Sequence, residues 1–179
     1  MSQKSSRLGA VGEHLAIVQL LLHGWDAYDA NASITNTEGI DVVCISEGKE
    51  VALVQVKTTE QNSFPTGLTL EKALDKKHLW EHILGQWVFV KVIGSGTNAQ
   101  YKYYVLSRQQ TIDMIYESNN WYVNQVQRTR QVNKKSVCAI LEEWLEGKDY
   151  TAPRLKGAVF QNPLKGISSE NKWDNIWKK

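Results

Sequence analysis

The chain has 179 residues, 42% of them hydrophobic, a formal net charge of +2 and two cysteines. That length supports one sizeable core and excludes two ordinary domains without an evident linker, while so small a net charge excludes any case for nucleic-acid binding built on composition alone. Cys44 and Cys138 each sit in an apolar run, far apart, which fits reduced, buried thiols better than a disulfide framework or a zinc knuckle.

The first seven residues are polar, and the Leu20-Leu21-Leu22 cluster is broken by His23-Gly24. Neither a signal peptide nor a membrane span can be drawn, so a cytoplasmic protein without a membrane partner is expected. From Leu8 to His23 nearly every side of a helix is apolar, which predicts a helix buried on more than one face, packed on a sheet and ended by Gly24. Trp25–Tyr28 is a possible short strand, and the Asn-, Thr- and Ser-rich stretch from Asp29 to Gly39 reads as a loop.

Ile40–Ile45 and Val51–Thr58 are β-branched apolar runs separated by Ser46-Glu47-Gly48-Lys49-Glu50, the pattern of an antiparallel hairpin. Gln61–Gly67, with Pro65, reads as a polar connection, and Leu68–Leu84 has the helical spacing of a crossover helix. Trp87–Ile93 and Tyr101–Leu106 are two further strands, and Ser107 is placed to cap a short helix reaching Tyr116. Trp121–Val126 is a possible final strand, Asn133–Glu146 an amphipathic helix stopped by Gly147, and residues from Asp149 onward lack periodicity. The expected fold is α/β, a mixed four- to five-stranded sheet flanked by helices in the order αββαββα with C-terminal additions. Residues 1–148 form the domain, and 149–179 form a tail whose Trp173 and Trp177 favour docking onto it.

If the hairpin turns symmetrically about Gly48, Asp41 faces Gln55. Opposed residues on one face have Cβ atoms about 4.5–5.5 Å apart, and the two-residue period adds Lys57 to the same face. Polar groups among Val42, Val43, Cys44, Val54 and Val56 cost energy unless paired or bound to a metal. Glu13 falls on the same helical side as Ala10, Ile17 and Leu20, where a carboxylate needs a cation nearby. Two carboxylates and an amide oxygen are hard ligands suited to Mg²⁺ or Mn²⁺, and a neighbouring lysine can hold a phosphate or an attacking water.

Gly12-Glu13 on a first helix, then Gly39-Ile40-Asp41, then Gln55-Val56-Lys57 closing a hairpin strand, resembles the PD-(D/E)XK nuclease superfamily, especially its restriction-endonuclease-like and Holliday-junction-resolvase-like branches. The resemblance implies a restriction-endonuclease-like core and a metal-dependent endonuclease that hydrolyses DNA phosphodiesters. It implies Asp41 and Gln55 as metal ligands, Glu13 as a further or supporting ligand, Lys57 as the group that orients water, and Mg²⁺ (or Mn²⁺) as cofactor. The sequence departs from the pattern at Ile40, where a proline is usual, and at Gln55, where an acid is usual. Gln55 contributes no charge, so a nuclease-fold protein that binds nucleic acid or a partner without cutting is the alternative.

Arg128, Arg130, Lys134 and Lys135 form a local run without acids that could contact DNA phosphates, and whether the chain pairs as a homodimer is left open. Two competing motifs are weaker. His78-Leu79-Trp80-Glu81-His82 spells an inverted zinc-peptidase pattern, but its histidines fall on the flank of Glu71 and Asp75, read as exposed. Gly94-Ser95-Gly96-Thr97-Asn98-Ala99 approximates a dinucleotide fingerprint but leads into a strand where a helix is required.

Overall fold

A computed structural model of the chain describes residues 3–32, 39–126, 132–152 and 157–178. A mixed five-stranded sheet has the order β1-β2-β3-β5-β6, from β1 (Asp26–Asp29), β2 (Val42–Ile45), β3 (Val51–Thr59), β5 (Gln86–Ile93) and β6 (Gln100–Leu106). The β3–β5 pair is parallel and the other three are antiparallel. Outside it lie α1 (Gln3–Leu22), β4 (Ser63–Thr69), α2 (Leu70–Ala73), α3 (Lys76–His82), α4 (Arg108–Val126), β7 (Val137–Leu141), α5 (Glu142–Leu145), β8 (Tyr150–Ala152) and β9 (Ala158–Phe160). This is an α/β protein with helices on both sides of a central mixed sheet. No helix among the described residues is long and apolar enough to cross a membrane.

The alternation of side chains along the strands produces two cores. Val42, Cys44, Val54, Val56, Val88 and Val90 face Ala16 and Leu20 of α1, together with Trp173 and Ile176 of the C-terminal segment. Trp87, Phe89, Tyr104 and Leu106 point the other way, into a larger cluster with Phe64, Leu79, Ile112, Ile140 and Leu145. Both cysteines are buried free thiols, and burial pushes each up to about 11, so neither is a ready nucleophile.

Several elements differ from the sequence expectation. Helix α1 fully buries only Gly12, Ala16 and Leu20, with Leu15 and Ile17 partly covered, while Val11, Val18, Leu21 and Leu22 are exposed; one face meets the sheet instead of two. The single crossover helix is replaced by β4, α2 and α3, because Asp75 accepts from the backbone N–H groups of Lys77 and His78 at 2.9 and 3.1 Å and starts a new helix. The segment Ser63–Thr69 is a strand that, among the described residues, pairs only with β7, a position that tolerates Pro65.

The expected strand at Trp121–Val126 is the end of α4. The polar Ser118-Asn119-Asn120 run does not break that helix, since Ser118 Oγ donates to the Met114 carbonyl and Asn119 Nδ2 to that of Ile115, both at 2.6 Å. The expected helix over Asn133–Glu146 is instead β7 followed by one turn of α5, with Cys138 and Ile140 buried at strand spacing. Glu142 opens that turn and anchors it to the sheet: it lies 3.3 Å from Lys91 Nζ and accepts from the Tyr104 hydroxyl at 2.8 Å. Ser107 caps α4 as expected, its hydroxyl accepting from Gln110 N–H at 3.3 Å.

Helix α1 crosses β3 closely at Gly12. A Cβ there would lie 1.8 Å from Thr58 Oγ1, so only glycine permits the approach that brings the next residue, Glu13, to this end of the sheet. Gly12→Ala is expected to lower stability by about 1–3 kcal/mol, and Thr58→Ala in the same chain to restore part of it, because it removes the nearest atom while leaving the Thr58 Cβ at 2.9 Å, and the Thr58 hydroxyl is buried without a partner and costs little to remove. Chemical denaturation of the two single variants and the double variant measures this. Additive losses would show that the contact does not set the packing.

Candidate active site

The β2–β3 hairpin has the register that the turn sequence predicts, with Val42 opposite Val54 and Ile45 opposite Val51. Asp41 lies one residue before β2, continuing that ladder: its N–H donates to the Val54 carbonyl at 2.9 Å, and its Oδ2 accepts from Val56 N–H at 2.7 Å. Gln55 and Lys57 follow on the face turned away from α1, beside Trp87 and Phe89 of the parallel neighbour β5. The Lys57 ammonium sits 5.1 Å from the centroid of the Trp87 ring, a cation–π contact that holds its long side chain in the site.

Glu13, Asp41 and Lys57 are electrostatically coupled. Burial raises the Glu13 carboxyl above its ordinary value, with repulsion from Asp41 and then Asp29 adding to it. Burial likewise raises Asp41, opposed by the Val56 N–H and by Lys57. Burial lowers the Lys57 ammonium, while Asp41 and Glu13 pull it back up. The structure thus brings Glu13, Asp41 and Lys57 within electrostatic reach of one another and sets Gln55 beside Lys57.

A further acid, Asp29, lies in a stretch whose sequence reads as a loop. It is the last residue of β1, opposite Val42, and its Oδ1 accepts from Asn31 N–H at 2.8 Å. It raises both Glu13 and Asp41. The signal that could have found it is the apolar Ala27 two residues before, which makes Asp29 the second inward position of a short strand.

Among the described residues no group of three or more His, Cys, Asp or Glu side chains is set to hold a metal ion. A divalent ion here would be held by Glu13, Asp41 and the amide oxygen of Gln55. That donor set fits Mg²⁺ or Mn²⁺, which use one or two carboxylates and keep several waters, and two carboxyls raised by burial and mutual repulsion are relieved by a cation between them.

His78 and His82 differ from the exposed flank expected of them. His82 is exposed but His78 is half-buried, their rings stack with centroids 3.7 Å apart, and both line the same cavity as Gln55 and Lys57. Among the described residues no third ligand of those kinds joins them, so the structure adds no support to the zinc-peptidase pattern that their spelling suggests. Lys134 and Lys135 are exposed in the turn before β7, whereas Arg128 and Arg130 lie outside the described residues. The Gly94–Ala99 segment is a loop with one 3₁₀ turn leading into β6, not a nucleotide-binding helix start.

Compared with protein-family models, curated proteins and solved structures, the chain matches none of them. Fold and site together define an α/β protein with a half-buried acid–amide–lysine cluster at one end of its sheet.

Because burial raises Asp41, its ionised form opposes folding. The sign is that stability falls as pH climbs from the unfolded value near 3.8 through the raised folded one, and the cost is fully present at neutral pH. Asp41→Asn keeps an oxygen for the Val56 N–H and removes the charge. In EDTA at pH 7.5 its Tm is expected to rise by roughly one or two degrees, with the difference vanishing at acid pH where the carboxyl is protonated in both states. Thermal unfolding across pH measures it, and a lower Tm at neutral pH would contradict the account.

Proposed function

We propose that this chain is a Mg²⁺- or Mn²⁺-dependent deoxyribonuclease with a restriction-endonuclease-like core, its substrate DNA. The observation that carries the reading is the hairpin register: it puts Asp41, Gln55 and Lys57 on one face at one sheet end, where uncompensated charge is costly, and the Gly12 contact adds Glu13. A divalent ion, when bound, supplies Lewis acidity toward the phosphoryl oxygen and lowers the pKa of an attacking water.

The residues of the chain do the rest. Asp41 Oδ2 is committed to the Val56 N–H, which fixes the carboxylate so that its other oxygen points to a ligand with one geometry. Gln55 offers its amide oxygen without adding charge. Lys57, desolvated and held over Trp87, donates to a non-bridging phosphate oxygen and stabilises charge that develops during in-line displacement. Glu13 restores the negative charge that Gln55 does not supply.

The second reading, a protein of this fold that binds DNA without cutting, is favoured by one observation, the amide at position 55. The discriminating experiment incubates purified protein with supercoiled plasmid and branched DNA in Mg²⁺, Mn²⁺ or EDTA. Metal-dependent nicking is expected, reduced at least about 100-fold in Asp41→Ala and Lys57→Ala, with circular dichroism spectra unchanged. Undiminished cleavage by either variant would refute the site, and no cleavage by the wild type with either ion, together with DNA binding, would leave the non-cutting reading.

Gln55→Glu adds the missing charge. The ion concentration giving half-maximal cleavage is expected to fall by about tenfold, since site affinity rises with ligand charge. A metal titration of the initial rate reads it, and an unchanged midpoint would take Gln55 out of the ligand set.

A further inference from the structure

The nuclease reading leaves one side of the site without a task. Beyond Gln55 and Lys57, a cavity of about 380 Å³ opens between β3, the Thr66–Leu68 part of β4, and α2–α3. Its walls carry Lys57, Lys72, His78 and His82 against a single acid, Glu81, and Glu81 lies 3.8 Å from Lys77 one turn away on α3. Among the described residues no acid forms an ion pair with Lys72 or Lys57. The charges around Lys57 are therefore segregated: Glu13, Asp41 and Asp29 gather on one side, and cationic or protonatable groups line the other.

The histidines are arranged for a ligand. His82 Nδ1 donates to the His78 carbonyl at 3.0 Å, which leaves Nε2 as the ring atom for a partner, and the stacked His78 ring holds the His82 ring in place. His78 Nε2 is itself buried without a hydrogen-bond partner. Outside the cavity the backbone N–H of Glu71, next to Lys72, donates to the Lys134 carbonyl at 3.2 Å, which sets the Lys134 turn beside α2. The floor, from Leu68, Ile83 and Trp87, is apolar. Cations on the wall above an apolar floor suit a sugar–phosphate unit better than a free anion.

We infer that this cavity is a phosphate subsite, taking the DNA backbone phosphate next to the scissile one, and that Lys57, Lys72 and Lys134 mark the path of the strand. The inference rests on the nuclease reading, whose metal lies on the acidic side of Lys57. Lys72 and His82 contact the substrate backbone and take no part in the bond-breaking step.

The test uses a fluorescein-labelled 20-bp DNA duplex and anisotropy titrations in EDTA over a salt series, on the full chain and on Lys72→Gln, His82→Gln and the exposed-turn control Lys49→Gln. Lys72→Gln and His82→Gln are expected to raise Kd about three- to tenfold, and Lys72→Gln to reduce the slope of log Kd against log salt by about one. In plasmid cleavage the same variants are expected to raise KM while kcat stays within about twofold. A Kd and salt slope equal to those of Lys49→Gln would overturn the subsite, even if the protein cuts DNA. Loss of affinity in the variants without cleavage by any form of the protein would instead uphold the phosphate subsite and reject the nuclease reading.

Discussion

The placement of β3 controls the rest of the molecule. It pairs antiparallel with β2 on one side and parallel with β5 on the other, so its register sets what stands next to what across the middle of the sheet. A shift of one residue would exchange its two faces, sending Val54 and Val56 to the polar side and Gln55 and Lys57 into the valine layer under α1. The burial of Val42, Cys44, Val54, Val56, Val88 and Val90 forbids that shift. The site is thus held in place by apolar burial on the opposite side of the sheet, and the chemistry inherits its geometry from a core it does not touch.

That arrangement has an energetic consequence. Asp41 and Lys57 on the far face and Glu13 on α1 are all desolvated by burial, and neither carboxylate is as comfortable as in water. The fold retains Asp41 and Lys57 in spite of this because the surrounding packing is rigid on both sides: Phe64, Phe89 and Tyr104 form edge-on ring contacts, and Asp41 is tied to β3 through both its backbone and its side chain. Destabilised charges held in fixed positions are what a site for a cation and an anion requires, since the ligands then supply the compensation.

The hairpin and the residues on its face were legible in the sequence because both depend on local information: β-branched alternation, a turn centred on Gly48, and a two-residue period. The regions that were not legible depend on tertiary partners. Val137–Leu141 has too few residues to distinguish a strand from a helical stretch until β4 is present to pair with it, and β4 itself is disguised by Pro65 and flanking polar residues. Ser118-Asn119-Asn120 looks like a helix stop until the side chains turn back to their own helix carbonyls. Asp29 and the His78/His82 pair were missed as neighbours of the site for the same reason. Their sequence distance from Asp41 and Lys57 is bridged only by the ladder of β1 on β2 and by the break in the helix at Asp75.

That break does more than correct a boundary. A continuous helix over Leu68–Leu84 would carry His78 and His82 around its axis with Glu71 and Asp75, on one solvent-facing flank. Restarting at Asp75, which spends its carboxylate on the N–H groups of Lys77 and His78, re-aims α3 so that its histidines overlook Lys57 while Leu79 fills the core. Arg108 then fastens the far end of α3, donating from Nε to the Ile83 carbonyl at 2.6 Å and from a second guanidinium nitrogen to that of Trp80. One capping carboxylate and one guanidinium fix the orientation of a seven-residue helix too short to be stable alone. The histidine wall of the cavity is therefore a product of helix termination, just as the shared face of Asp41, Gln55 and Lys57 is a product of strand register.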